Sequence, residues 1–412
     1  MGNPPTFSLS FFPELQNPNP ELGMVVVIPC HDEPDLISSL ESLHRCIRPE
    51  CAVEVIVVIN SGEQHGQDVM NRNRGTMELA SKWIAEHRED RLTFFTILAE
   101  NLPAKFAGVG LARKIGMDEA SRRLEQTNPG NGIVVCFDAD CSCDPDYFTA
   151  IENAFRDNPK APGASIYFEH PLHGDSAGII RYELFLRYFV QALRWSGFPF
   201  AFHTVGSAMA VRSGVYRAVG GMNKKKAGED FYFLHKVMPR GHFLEINSTR
   251  VIPSPRVSHR VPFGTGKAMA DWQNYRDEVY PVYNFQSFRD LKIFLSKMES
   301  ELFRCRAGKY EAFLDSLPAS VVAYLSQRGF MDKIVEIQNN SRHMDSFRKR
   351  FYAWFDGLAV LQFFHFSREN AWKSKGLEIS ANEFLESAGL PVSTGTDLLD
   401  ILCIFRRLDR EN

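Results

Sequence analysis

The sequence predicts an α/β protein: a mostly parallel sheet flanked by helices, with a helical module appended at its C-terminal side. Three observations predict it. Short apolar, β-branched runs alternate with helical stretches from residue 24 onward. Several of these runs end in polar turns, as parallel strands do where an open sheet binds its ligands. Beyond about residue 285 only helical stripes remain.

Residues 1–22 are rich in Pro and Asn and read as an irregular lead-in. Met24 to Ile28 and Val53 to Ile59 are continuous apolar runs of buried-strand character. Leu92 to Leu98 and Ile133 to Phe137 add two more. Leu36, Ile37, Leu40 and Leu43 recur at helical spacing behind Pro34. Ile179 to Trp195 is apolar apart from a narrow stripe of Glu183, Arg187, Gln191 and Arg194. That helix is expected to be buried rather than to rest on a membrane surface, because the stripe carries few cations for anionic lipid. Two late stripes, Phe288/Leu291/Leu295/Met298/Leu302 and Phe347/Phe351/Trp354/Leu358/Leu361, read as core between packed helices. The expected division is 1–22, an α/β domain over 23–285, and a helical module over 286–412.

Composition narrows the function classes. The 412-residue chain has 44% hydrophobic and 24% charged residues, a net charge of -3 and a pI of about 6.5. No basic face for nucleic acid follows from that. The N-terminus lacks the pattern of a signal peptide, and no apolar run approaches the roughly 18 residues of a membrane span. Eight cysteines without disulfide or zinc spacing read as free thiols in a reducing compartment, so a cytoplasmic location is expected.

The chemistry-bearing signal is Asp138-Ala139-Asp140 after the run ending at Phe137. Carboxylates two residues apart on an extended strand point the same way and would repel without a cation between them. Oxygen-only ligands suit Mg²⁺ or Mn²⁺. A simple turn is the competing reading, since Asp favours turns. Asp144, followed by Pro145, reads as a helix N-cap, with Asp146 in the first turn.

The first strand runs into Val27-Ile28-Pro29-Cys30-His31-Asp32-Glu33-Pro34, and the second into Val58-Ile59-Asn60-Ser61-Gly62. Ala107-Gly108-Val109-Gly110-Leu111-Ala112-Arg113-Lys114-Ile115-Gly116 follows, then Gly206-Ser207-Ala208-Met209 with Gly220-Gly221, then Gly228-Glu229-Asp230. In this order the motifs resemble the family 2 glycosyltransferases, over about residues 23–270. The sequence departs from that pattern at Lys114, where the family has Asn, and at His31-Asp32, in place of an aromatic-Asn pair.

The resemblance implies a Rossmann-like GT-A fold and a metal-dependent transfer of a sugar from a UDP- or GDP-sugar to a glycan, lipid or small-molecule hydroxyl. It implies nucleotide-sugar contacts at Pro29, His31, Glu33, Asn60, Ser61, Lys105, Arg113 and Asp138. The implied metal ligands are Asp138, Asp140 and His259, with Mn²⁺ or Mg²⁺ bound. The implied catalytic residues are Asp230, as an ionised and accessible general base of an inverting transfer, and Glu229. Each has a plainer alternative. Glu33, Glu229 and Asp230 suit helix starts; Arg113 and Lys105 suit a solvated surface, as do Lys224, Lys225 and Lys226; His259 suits an ordinary loop. Arg256, Arg260 and Lys267 around Gly264-Thr265-Gly266 suit a phosphate-holding loop. A retaining transferase, a nucleotidyltransferase and a non-catalytic nucleotide-sugar binder are the rival functions. A nucleotidyltransferase would need a Gly-rich loop after the first strand, where Pro29 to Pro34 has none.

Overall fold

In the computed structural model the described residues are 16–174, 176–257, 264–275, 279–305, 309–392 and 397–411. The lead-in up to residue 15 and His259 therefore lie outside them. The strands are β1 (Leu22–Cys30), β2 (Ala52–Gly62), β3 (Leu92–Leu102), β4 (Ile133–Cys136), β5 (Ser142–Cys143), β6 (Gly163–Phe168), β7 (Met209–Arg212), β8 (Leu244–Ile252), β9 (Pro281–Val282) and β10 (Lys375–Gly376). The earlier helices are α1 (Leu36–His44), α2 (Gln67–Glu86), α3 (Val109–Thr127), α4 (Tyr147–Asp157), α5 (Ala177–Trp195), α6 (Ser213–Ala218), α7 (Glu229–Val237) and α8 (Thr265–Tyr275). The later ones are α9 (Phe285–Ser300), α10 (Tyr310–Asp315), α11 (Ala319–Gln327), α12 (Phe330–Asn339), α13 (Met344–Trp354), α14 (Gly357–Asn370), α15 (Leu377–Ser387) and α16 (Leu398–Glu411).

The chain folds as two compact units, Met1–Pro171 with Thr204–Lys267, and Leu172–His203 with Ala268–Asn412. These bounds interleave, so they do not coincide with a linear cut at residue 285.

The first unit holds an eight-stranded sheet in the order β3-β2-β1-β4-β7-β6-β8-β5. The ladders β3/β2, β2/β1, β1/β4 and β6/β8 are parallel, while β4/β7, β7/β6 and β8/β5 are antiparallel. The sheet is thus mixed and mostly parallel, the expected class. Central β1 and β2 are buried along their whole length, which is why they read as unbroken apolar runs. Edge strand β3 alternates between buried and half-buried residues.

A proline in a central strand would break a ladder. Pro29 escapes because the β1/β4 register ends at Val27–Cys136, before the proline is reached. Helix α3 lies on β1 and β2, and Gly116 is what lets it approach. A Cβ there would fall 2.3 Å from Val27 Cγ1. Glu54, a charge inside buried β2, is neutralised by Arg123 of α3, whose guanidinium also stacks over Phe95 at 4.9 Å.

The second unit is helical around one aromatic-rich core that includes Phe285, Phe288, Phe294, Phe351 and Phe364. The stripe Phe288/Leu291/Leu295/Met298/Leu302 is buried as expected. The second stripe is corrected: α13 stops at Trp354, and α14 restarts where Asp356 caps it by accepting from the Ala359 N–H at 2.9 Å. The restart resets the helical phase, so Ala359, Val360, Phe363 and Phe364 face the core, and Leu358 and Leu361 are only half-buried. The region past residue 285 is also not purely helical, since β10 pairs with β9.

The polar stripe of α5 points inward, as the expected burial of the helix requires. Glu183, Arg187 and Gln191 are buried within the helical unit and meet α16. Arg187 pairs with Glu183 and Asp409, Gln191 donates to Asp409 at 2.5 Å, and Arg406 donates to Glu183 at 2.7 Å. His203 Nε2 lies 2.9 Å from Asp409. Burial works to raise the Asp409 carboxyl, but His203, Arg187 and Gln191 outweigh it and hold it at about 2.

Asp409→Ala leaves Arg187 buried with only part of its counter-charge. We expect a loss of about 3–5 kcal/mol in denaturant unfolding, the usual effect of breaking a buried pair from one side. In the wild type, the Asp409 contribution is present above the unfolded carboxylate range and fades as pH falls towards 2. The mutant's unfolding midpoint is therefore expected to lack that part of the acid dependence.

Candidate active site

The carboxyl ends of β1, β2 and β4 and the N-termini of α3 and α7 supply the site residues. At the first strand end His31 donates through Nδ1 to the Asn60 carbonyl at 2.7 Å, and its ring lies 4.5 Å from that of His65. Asp32 takes a positive φ of 49°, uncommon for a non-glycine residue. Asn73, buried on α2, secures the turn: it accepts from the Asp32 N–H at 2.8 Å and donates to the Asn60 carbonyl at 3.0 Å. Asn73 carries no motif signature, and nothing in the sequence separates it from other asparagines.

Glu33 is buried and accepts from the Asp35 N–H at 2.9 Å, so its helix-start role is realised; its other oxygen pairs with Arg256. Ser61 is buried, with no hydrogen-bond partner for Oγ among the described residues.

Two readings of the acidic turn are corrected. Strand β4 ends at Cys136, and Asp138 to Cys141 is a turn closed by the Cys141 N–H on the Asp138 carbonyl at 3.1 Å. Strand alternation therefore does not set the two carboxylates: Asp138 meets Arg113 at 2.7 Å, and Asp140 comes to 3.5 Å from Arg256. Asp144 is not the cap of α4, which begins at Tyr147 with Asp146 at the N-cap position. Asp144 instead pairs with Arg250, and Asp146 accepts from Thr249 at 2.7 Å.

Arg113 organises the centre. It is 2% exposed, so the solvated-surface alternative fails. One guanidinium nitrogen donates to Glu229 and the other to Asp138. Burial opposes its charge, but Asp138 and Glu229 keep it firmly protonated. Gly206 is the floor beneath it, because a Cβ there would fall 2.6 Å from the Arg113 Nη1. Gly110 does the same for the next loop: a Cβ would fall 2.0 Å from the Lys225 carbonyl oxygen. Gly206 and Gly110 are thus places where α3 and the loops around residues 206 and 225 approach too closely for a side chain.

Gly228, at φ 69°, is the N-cap position of α7, so neither Glu229 nor Asp230 serves as its N-cap. Glu229 is buried, and burial raises its carboxyl to about 7; Arg113 pulls it down while Asp230 and Asp138 push it up. Asp230 is half-buried rather than open, and accepts from the Phe231 N–H at 2.7 Å. Burial raises it too, opposed by Arg113 and by the N–H groups of Phe231 and Gly206. Its proton affinity is thus raised above that of an open aspartate.

Lys105 is exposed, with its ammonium 5.4 Å from the Phe106 ring, and Lys114 pairs with Asp118 on the same helix. Among the described residues, neither forms an ion pair with the Arg113 cluster. Asp138 and Asp140 keep 36% and 27% of their side chains exposed, so oxygen donors suited to a hard divalent cation are accessible. No cluster of three or more metal-ligating side chains occurs among the described residues.

The fold and site define an α/β protein with a buried arginine–carboxylate cluster at the carboxyl ends of parallel strands. No protein-family model matches the sequence, and no curated protein matches it. Among solved structures, the chain is similar to S. aureus TarS 1-349 in complex with UDP-GlcNAc, with a TM-score of 0.40 and 12% identity over 81% of this chain and 91% of that one. It is also similar to the same fragment in complex with UDP, at a TM-score of 0.38 and 12% identity over 81% and 91%. The longer S. aureus TarS gives 0.38 and 13% over 80% of this chain and 55% of that one. At these scores the likeness carries no weight beyond itself; fold and site stand on this chain's own topology and residues. No helix among the described residues is long and apolar enough to cross a membrane.

Arg113→Met removes a guanidinium that lowers Glu229 by charge. The Glu229 carboxyl, already at about 7, should then titrate still higher in a carbon-detected NMR titration. In the wild type the fold favours protonated Glu229, so its contribution to stability declines as pH climbs from the ordinary carboxylate range to about 7. In the mutant that decline should extend to higher pH.

Proposed function

We propose that the chain is a GT-A glycosyltransferase that moves a sugar from a nucleoside-diphosphate sugar to an acceptor hydroxyl, with inversion and with Mn²⁺ or Mg²⁺. The observation that carries this reading is the Arg113 bridge. It joins Asp138, at the strand end where α/β sheets take nucleotides, to Glu229, the neighbour of the proposed base Asp230. Two motifs far apart in sequence, one suited to the donor and one to the acceptor, thus share a single buried guanidinium.

In this reading Asp138 and Asp140 would hold the cation, which when bound would offset the charge of the departing diphosphate. His31, Glu33, Asn60 and Ser61 would contact base and ribose, with Pro29 one residue before the end of β1. Arg113 fixes Asp138 and Glu229 relative to each other, which is positioning rather than bond-making. Asp230 accepts the acceptor's proton. Burial raises its affinity for a proton above that of an ordinary aspartate, the direction that strengthens a general base. The proposed functional division keeps 23–285 as the transferase domain and 286–412 as an appended module. The proposed location is the cytoplasm, a reducing compartment that a cysteine spacing without disulfide or zinc pattern suits.

Two measurements test this. Calorimetry with UDP and with GDP should show binding that Mn²⁺ strengthens, and Asp140→Ala should abolish the strengthening without unfolding the chain. Equal affinity in Mn²⁺ and in EDTA would remove the metal from the proposal. Asp230→Asn keeps size but cannot accept a proton, so turnover should fall by about 10²- to 10⁴-fold while UDP or GDP binding survives. A product whose anomeric configuration matches the donor's, read by NMR, would replace inversion with retention.

A further inference from the structure

We propose that Arg256 is a resident counter-cation of the acidic turn, one that a divalent metal displaces from Asp140, so that metal and nucleoside diphosphate each promote the other's binding. This rests on the transferase reading above and concerns a residue to which that reading gives no step. The Arg256 guanidinium pairs with Glu33, donates to Asp35 at 2.7 Å, and comes to 3.5 Å from Asp140. Glu33 and Asp35 lie just before the start of α1, whereas Asp140 belongs to the turn after β4. Three carboxylates from two segments converge here, and without a cation among them they would repel one another.

The three contacts are unequal. Glu33 is buried and in direct contact, Asp35 is within hydrogen-bond distance, and Asp140 is the farthest. The Asp140 contact therefore yields at least cost, and Arg256 stays anchored through the other two. A divalent ion at Asp140 competes with the guanidinium for the same carboxylate, so metal alone binds against the charge of Arg256. A diphosphate relieves that opposition, because its oxygens offer the planar guanidinium paired acceptors in place of Asp140. By linkage the effect runs equally both ways: nucleotide tightens metal, and metal tightens nucleotide, by the same factor.

The test uses the full chain, with Mn²⁺ followed by electron paramagnetic resonance and UDP or GDP as the nucleotide. Without nucleotide, Arg256→Gln should bind Mn²⁺ about tenfold more tightly than the wild type, within the usual span of coupling between sites. The enhancement of Mn²⁺ binding by UDP or GDP should shrink by a similar factor. Arg256→Lys, which keeps the charge, should stay near the wild type, and adding Asp140→Ala to Arg256→Gln should abolish the gain. Circular dichroism checks that each variant folds, with Arg256→Met as the substitute if Arg256→Gln does not. Equal Mn²⁺ affinity of wild type and Arg256→Gln without nucleotide, or an undiminished nucleotide enhancement, overturns the proposal. Tighter Mn²⁺ binding by Arg256→Gln, with no UDP or GDP binding to either protein, upholds the competition at Asp140 and overturns the transferase reading instead.

Discussion

A buried guanidinium cannot be left without counter-charge, and much of the first unit is arranged around that constraint at Arg113. Taking the charge out of water costs several kcal/mol, and only close carboxylates with good geometry repay it. Asp138 and Glu229 supply them, and their own placement follows from the bridge. The turn after β4 must present Asp138 to α3, and the start of α7 must bring Glu229 to the other nitrogen. A lysine, with a single point charge, would not span both carboxylates with the same planar fork. The cluster also sets the proton affinities of its members. Burial raises both Glu229 and Asp230 above their ordinary values against the opposing charge of Arg113, Glu229 to about 7.

Three glycines of this unit mark close approaches around α3. Gly206 and Gly110 stand where the guanidinium and the loop around residue 225 press against backbone, and Gly116 stands where α3 meets the sheet. Replacing hydrogen by methyl at any of them would force the elements apart, since packed interiors leave little slack. Glycine spacing along α3 thus records distances to other parts of the chain rather than flexibility of the helix.

The helical unit solves a different problem. Its aromatic core needs no directional contacts, but α5 and α16 are joined by buried charges: Glu183, Arg187, Arg406 and Asp409, with Gln191 and His203. Such a network adds little over apolar packing in net stability, yet it penalises any register in which one member loses its partner. We take its role in this unit to be the alignment of α5 with α16.

Much was legible in the sequence because it is local. Unbroken β-branched runs marked β1 and β2, since strands buried on both faces need apolar residues throughout; helical spacing marked α1, α5 and α9. The order of short motifs singled out Arg113, Asp138, Glu229 and Asp230 as candidates. What those residues touch was not legible, because their partners lie as far as 116 positions apart and spacing carries no information about such pairs. Periodicity showed that α5 had a polar stripe but not which way it faced, since burial of that stripe depends on charges from α16. It likewise ran through the Asp356 cap as if α13 and α14 were one helix. Asn73 left no trace in the pattern at all, and Arg256 read only as part of a phosphate-holding loop, not as a partner of Glu33, Asp35 and Asp140. The sequence by itself determined which segments form strands and helices, through hydrophobic burial and local geometry; the tertiary structure alone decided which charges meet, and therefore which carboxylates hold their protons.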